Sequence, residues 1–274
     1  MDDLGSKQLE INADGKGASH AQDTPVGHSV SRTPCYVVAF GRGNSGKSTG
    51  LRYLGERALS AGRDVLICDC DRNNQTLTAF FGDAVERPDY PDDDSAIAFL
   101  NRCADSIAGS SLSVVLDMGG GDLVFPRYAR SLQLVTLLEE NGIRPVAMHF
   151  VGPALDDLTT LQEIEQSGAF CPKATMIVLN AGLIRDTRAP DAAFKAVRDH
   201  ETVKAAEARG AVVVTMPRLA CMHEIDQRRL TFADAQKGRV KSGQEPLGLT
   251  MRQMVAIWRR GMESAFTPAE EWLP

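Results

Sequence analysis

From Cys35 onward, short runs of β-branched and apolar residues alternate with longer stretches of helical period. The runs at 35–40, 64–70, 113–117, 145–151, 174–179 and 211–216 are almost unbroken in hydrophobicity, as strands buried on both faces should be. Between them, apolar positions recur at helical spacing near 48–60, 95–107, 127–140, 155–167 and 190–208. Six strands alternating with helices predict an α/β fold, a doubly wound and mainly parallel sheet, in one domain spanning 34–274. Residues 1–33 carry neither period and are expected to form a flexible N-terminal tail. Near the other end Met251, Met254, Val255, Trp258 and Met262 fall on one helical stripe, with Arg252, Arg259 and Arg260 largely off it.

Composition narrows the class. Apolar residues make up 43% and charged residues 24% of 274 positions, which is ordinary for a water-soluble chain. No apolar run approaches the ~18–20 residues that cross a bilayer, and the first thirty residues lack the pattern of a secretory signal. A cytoplasmic protein is therefore expected. The net charge of −6 argues against whole-surface nucleic-acid binding. Its distribution is uneven: residues 228–260 hold eight basic side chains against two acidic ones, and 83–94 hold six carboxylates. The C-terminal stripe can thus dock on the sheet, lie on a membrane surface, or dock while outward cations bind anions such as DNA phosphates. The six cysteines form no CxxC pair and read as small buried hydrophobes. His149, His200 and His223 have no metal-ligand spacing and read as structural.

The chemistry concentrates at the strand ends. Directly after the first predicted strand, Gly41-Arg42-Gly43-Asn44-Ser45-Gly46-Lys47-Ser48-Thr49 satisfies GxxxxGK[ST] in the strand-to-helix context the pattern requires. Its glycines let backbone N–H groups turn inward around a phosphate, and the following helix aims its positive end there. Lys47 suits the β- and γ-phosphates, and Ser48 can offer its hydroxyl to Mg²⁺. The second predicted strand runs into Asp69-Cys70-Asp71, whose two carboxylates share a face and can orient water or hold a Mg²⁺-bound water. The third ends in Asp117-Met118-Gly119-Gly120-Gly121, an acid suited to the metal side followed by a mobile glycine loop. Asn180 closes the fifth predicted strand and Met216-Pro217-Arg218 the sixth, on the edge where a base can be recognised.

Taken together, these segments resemble the ParA/MinD class of P-loop ATPases over roughly residues 35–265. Within that class the chain looks most like TraL-type proteins encoded with conjugative transfer and plasmid-stability genes. The segments carrying that likeness are Gly152-Pro153-Ala154-Leu155-Asp156-Asp157, 229–235, Met251-Arg252-Gln253 and Arg259-Arg260-Gly261. The resemblance implies an ATP- and Mg²⁺-dependent switch that dimerises on ATP, hydrolyses it slowly, and positions or recruits plasmid-related cargo with a partner protein. It also implies a water-orienting role for Asp71, metal-side roles for Ser48, Asp69 and Asp117, and base contacts from Asn180, Pro217 and Arg218. The class carries a lysine after the first glycine of the loop, and this chain has Arg42, implied to reach the partner's phosphates. The class commonly continues Asp-Pro at the second acidic strand end, and here Arg72 follows Asp71.

Three other readings stay open on the residues alone. A small-molecule phosphotransferase can use the same loop, with Arg127, Arg130 and Arg185 as candidate acceptor arginines. A GTPase reading takes Asp117-Met118-Gly119-Gly120 as DxxG, but no NKxD follows. A nucleotide-gated binding module with negligible turnover is the non-enzyme alternative.

Overall fold

The structure, a computed structural model, describes residues 33–72 and 74–274. The expected tail, with its histidines His20 and His28, lies outside the described residues except for Thr33. Seven strands, β1 (Cys35–Phe40), β2 (Val65–Asp69), β3 (Val85–Glu86), β4 (Ser113–Asp117), β5 (Arg144–Val151), β6 (Ala174–Asn180) and β7 (Val212–Met216), form one sheet. Their spatial order is β3-β2-β4-β1-β5-β6-β7, and every pairing is parallel. The order reverses at β1, so the crevice beyond its C-terminal end is where a doubly wound sheet binds ligand. The fold class is the one read from the sequence.

Before β5 in the chain come α1 (Lys47–Ser60), α2 (Thr76–Phe81), α3 (Asp93–Ile107), α4 (Val124–Ser131) and α5 (Leu134–Glu140). After it come α6 (Thr159–Ser167), α7 (Pro190–Ala193), α8 (Lys195–Arg198), α9 (Glu201–Ala208), α10 (Met222–Arg228), α11 (Phe232–Lys237) and α12 (Leu249–Phe266). Central strands are buried along their length, because helices cover both faces of the sheet. One core layer joins Leu51 and Leu54 of α1 to Val255, Trp258, Met262 and Phe266 of α12. The opposite layer joins Phe99 and Leu100 of α3, Phe125 of α4 and Ile164 of α6.

The C-terminal stripe therefore docks on the sheet domain, through Val255, Trp258, Met262 and Phe266 with Met251 half-buried beside them. Met254, expected on the same stripe, is 43% exposed instead, as are Leu249 and Ile257 to a greater degree. All six cysteines are free, and five are buried. Among the described residues, no helix is long and apolar enough to cross a membrane.

Candidate functional site

The loop from Gly41 to Gly46 links the switch-point strand to α1. Gly46 has a φ of 100°, and a Cβ there would meet the Asn180 amide nitrogen at 2.3 Å, so the position excludes any side chain. Asn44 adopts a φ of 61°, a left-handed conformation that asparagine accepts more readily than most residues. The Lys47 ammonium is buried and donates to the carbonyl oxygens of Gly41 and Arg42, both at 3.1 Å. Burial pulls its pKa down, and the Asp117 and Asp71 carboxylates push it back up. The loop, with Asp71, Asn74, Thr76 and Gly120, lines a cavity of about 350 Å³.

Among the described residues, two polar groups in this region are buried without a hydrogen-bond partner: the Ser45 hydroxyl and Asp117 Oδ1. Unpartnered buried polar atoms are costly and uncommon, and in a phosphate-type loop a bound anion, cation or water can complete their bonding. The other Asp117 oxygen accepts from the Ser48 hydroxyl at 2.5 Å. Burial pushes the Asp117 carboxyl up to about 7. The Ser48 hydrogen bond and Lys47 oppose this rise, while Asp69 and Asp71 add to it. A divalent cation would relieve that frustration directly. Ser48 and Asp117 fit Mg²⁺, which takes one or two protein oxygens and fills its octahedron with phosphate and water. Among the described residues no group of three or more His, Cys, Asp or Glu side chains could hold a metal without such help.

The other expected residues divide into two groups. Asp71 stands beside the glycine loop, since a Cβ on Gly119 would lie 3.4 Å from its Oδ1. It also accepts from the Asn74 backbone N–H at 2.9 Å, which turns the chain toward α2. Gly120 packs on the phosphate loop so tightly that a Cβ would meet the Gly43 nitrogen at 2.5 Å. Asp69 is placed differently. Its carboxylate accepts from the Thr78 backbone N–H (3.2 Å), the Thr78 hydroxyl (3.1 Å) and the Asp71 N–H (3.3 Å), so it braces α2 from beneath the cavity.

Asn180 is drawn to the loop backbone: its amide nitrogen donates to the Ser45 carbonyl at 2.8 Å and its oxygen accepts from the Gly182 N–H. The Pro217 carbonyl accepts from the Trp258 indole at 2.8 Å, which ties the end of β7 to α12, and Arg218 is exposed. Arg42 is more than half exposed and reaches Asp157 at 3.5 Å, after β5. Thr49 lies in the first turn of α1 and lines the cavity. Asn74 and Thr76 also line it, and no motif singled them out; the signal available was their position just after two acidic residues at a strand end.

No known protein-family profile matches the chain, and no curated protein does. Solved structures do resemble it. A McdA variant of Cyanothece in complex with ATP aligns at 15% identity over 87% of this chain and 97% of that one, with a TM-score of 0.49. The MinD cell division protein of Aquifex aeolicus aligns at 12% identity over 81% and 95%, with a TM-score of 0.47. Chloroplast FtsY of Physcomitrella patens aligns at 15% over 84% and 65%, with a TM-score of 0.45. Likeness at this level concerns fold; function rests on the residues of this chain.

Proposed function

We propose that the chain is a Mg²⁺- and ATP-dependent switch ATPase of the ParA/MinD kind, acting in the cytoplasm as an ATP-induced homodimer. Its cargo on this reading is plasmid-related, and it works with a protein partner of a transfer, partition or stability system, as the TraL-like segments suggest. The observation that carries the nucleotide part is the junction of Ser48, Asp117 and the Gly119–Gly121 loop against Gly43 and Asp71. A phosphate sensor needs such a contact: the group that changes on hydrolysis must touch a segment able to move.

In this scheme the loop N–H groups and Lys47 bind the phosphates, with Ser45 supplying its unpartnered hydroxyl. Ser48 and Asp117 would hold Mg²⁺, which would neutralise charge on the phosphate oxygens. Asp71 orients the attacking water, and its bond to the Asn74 N–H fixes the carboxylate while the chain turns away. Asp69 and Asn180 hold this machinery in place, Asp69 through Thr78 and Asn180 through the Ser45 carbonyl. Base contacts fall to the β7 end, Pro217 and Arg218.

The test is thermal stabilisation by Mg-ATP in wild type and in Lys47→Ala. The variant should keep its fold and lose the ATP-dependent shift. An unchanged shift at saturating Mg-ATP would remove the phosphate loop from the site. Labelled ATP then separates the remaining readings: phosphate release marks an ATPase, a labelled third product a phosphotransferase, and binding without turnover a nucleotide-gated module.

A further inference from the structure

A second cavity, larger than the phosphate cavity, lies on the other side of the glycine loop, between α4 and α6, and measures about 630 Å³. That volume is typical of sites for small organic ligands. Met118, Phe125, Pro126 and Ile164 supply an apolar body to the lining. Arg130 and Glu163, both solvent-exposed, supply opposite charges at its lining. The remaining charged lining groups are already engaged: Arg127 pairs with Asp93, and Asp122 accepts from the Phe125 N–H.

The wall of this cavity is shared. Gly41, Gly119 and Gly121 line it, while Gly120 lines the phosphate cavity and abuts Gly43. An occupant on one side therefore presses on the loop that forms part of the other. We infer that the cavity between α4 and α6 is a second ligand site, for a small amphipathic anion whose occupancy is coupled to the phosphate cavity through Gly119–Gly121. The ligand has an apolar body, one anionic group for Arg130 and a hydrogen-bond donor for Glu163. The existence of the site is independent of the proposed ATPase; only its coupling rests on that reading.

The probe is 8-anilinonaphthalene-1-sulfonate, which carries an apolar body, one anion and one N–H donor, titrated by fluorescence into the full chain. One saturable site per chain is expected. Arg130→Ala should weaken it about tenfold, the size of a lost charge-assisted hydrogen bond. Thr160→Trp should fill the cavity and abolish binding, with folding checked by near-UV circular dichroism; if it does not fold, Arg130→Ala decides. Lys47→Ala should leave probe binding intact, which separates this site from the nucleotide reading. Saturating Mg-ATP should change the wild-type probe affinity by about fivefold or more without abolishing binding. Unchanged affinity in the Arg130 and Thr160 variants overturns the site. So does complete competitive displacement by Mg-ATP, which would put the probe in the phosphate cavity. Binding that appears only at chain concentrations where light scattering shows a dimer assigns the cavity to a second copy and overturns the small-molecule reading. An affinity indifferent to Mg-ATP, in protein that binds ATP, overturns the coupling.

Discussion

Two buried ionisable side chains, Asp117 and His149, give the molecule opposite responses to pH. The Asp117 carboxyl has a folded pKa of about 7 against 3.8 when unfolded. The folded state thus binds the proton more tightly, and the stability this brings is present at low pH and lost as pH rises through 7. The span corresponds to on the order of 4 kcal/mol. Asp117→Asn should therefore melt higher than wild type at pH 8 without nucleotide and about equally at pH 4. It should also lose most of the Mg²⁺-dependent part of nucleotide stabilisation. A variant that melts lower at both pH values would show that the carboxylate stabilises the apo fold. His149 works the other way. It stacks on Phe40 at 5.1 Å, and burial, with a smaller push from Arg209, holds its pKa down to about 3. Its contribution is complete above the unfolded value near 6.5 and is lost as pH falls toward 3. His149→Phe keeps the stacking and removes the proton acceptor, so its unfolding free energy should fall less than that of wild type between pH 6.5 and 4. An unchanged acid limb in urea titrations would assign acid sensitivity elsewhere.

At the scale of elements, α1 organises more than the phosphate loop. Arg52 is 2% exposed, sandwiched between the Phe80 and Phe232 rings at 3.8 and 3.9 Å, and paired with Asp226 at 2.9 Å. One turn on, Glu56 accepts from the Phe232 and Ala233 N–H groups and so caps α11. Together they clamp α2, α10 and α11 to α1. Glu56→Ala leaves one buried and one part-buried helix N–H group unpaired and should cost about 1–3 kcal/mol in denaturant unfolding. A cost below half a kcal/mol would mean that the cap is redundant. The sequence pattern could not disclose this clamp, because it depends on which groups return from 176 residues away. Strands and the phosphate loop were legible for the opposite reason: their signals are local. The same logic explains the misses. β3 is two residues long inside the acidic run, too short for any period. The helix expected over 127–140 breaks at Gln133, whose φ is 49°, and that over 190–208 breaks into three pieces around Phe194 and His200. Asp69 and Asn180 were visible as strand-terminal polar residues, but the groups they hold were not, since Thr78 and Ser45 are brought to them by the fold. The basic C-terminal stretch is thinned in a similar way. Arg252 and Arg259 donate to Gln236, and Arg228 to Glu224 and the Glu245 carbonyl, so the outward cations are chiefly Arg229, Lys237, Lys241 and Arg260. If this face holds DNA phosphates, charge reversal at Lys237, Lys241 and Arg260 should abolish low-salt DNA retention with ATP binding intact. Retention that persists through those changes would clear this face of the role.

For the whole molecule, the proposed switch turns on how the phosphate-loop cavity could govern assembly. Arg42 is the side chain best placed to do so. It leaves the loop between Gly41 and Gly43, beside the residues that would hold phosphate, yet its side chain is 54% exposed and, among the described residues, pairs with Asp157 at 3.5 Å. An exposed pair of that length contributes ~0–1 kcal/mol, which a phosphate from a facing copy can outcompete. Arginine also offers a planar fork that binds two phosphate oxygens at once, where the lysine of the resembling class offers a single ammonium. Arg42 is thus held loosely within the chain and suited to anions outside it. Arg42→Ala should bind Mg-ATP with affinity close to wild type, because Lys47 and the loop N–H groups remain. It should fail to form the ATP-induced dimer in light scattering, and lose turnover that depends on assembly. Asp157→Ala should do the reverse, freeing Arg42 and leaving or slightly strengthening the dimer. An intact ATP-induced dimer in Arg42→Ala would confine this arginine to its contact with Asp157, and a wild type that stays monomeric with Mg-ATP would remove assembly from the switch.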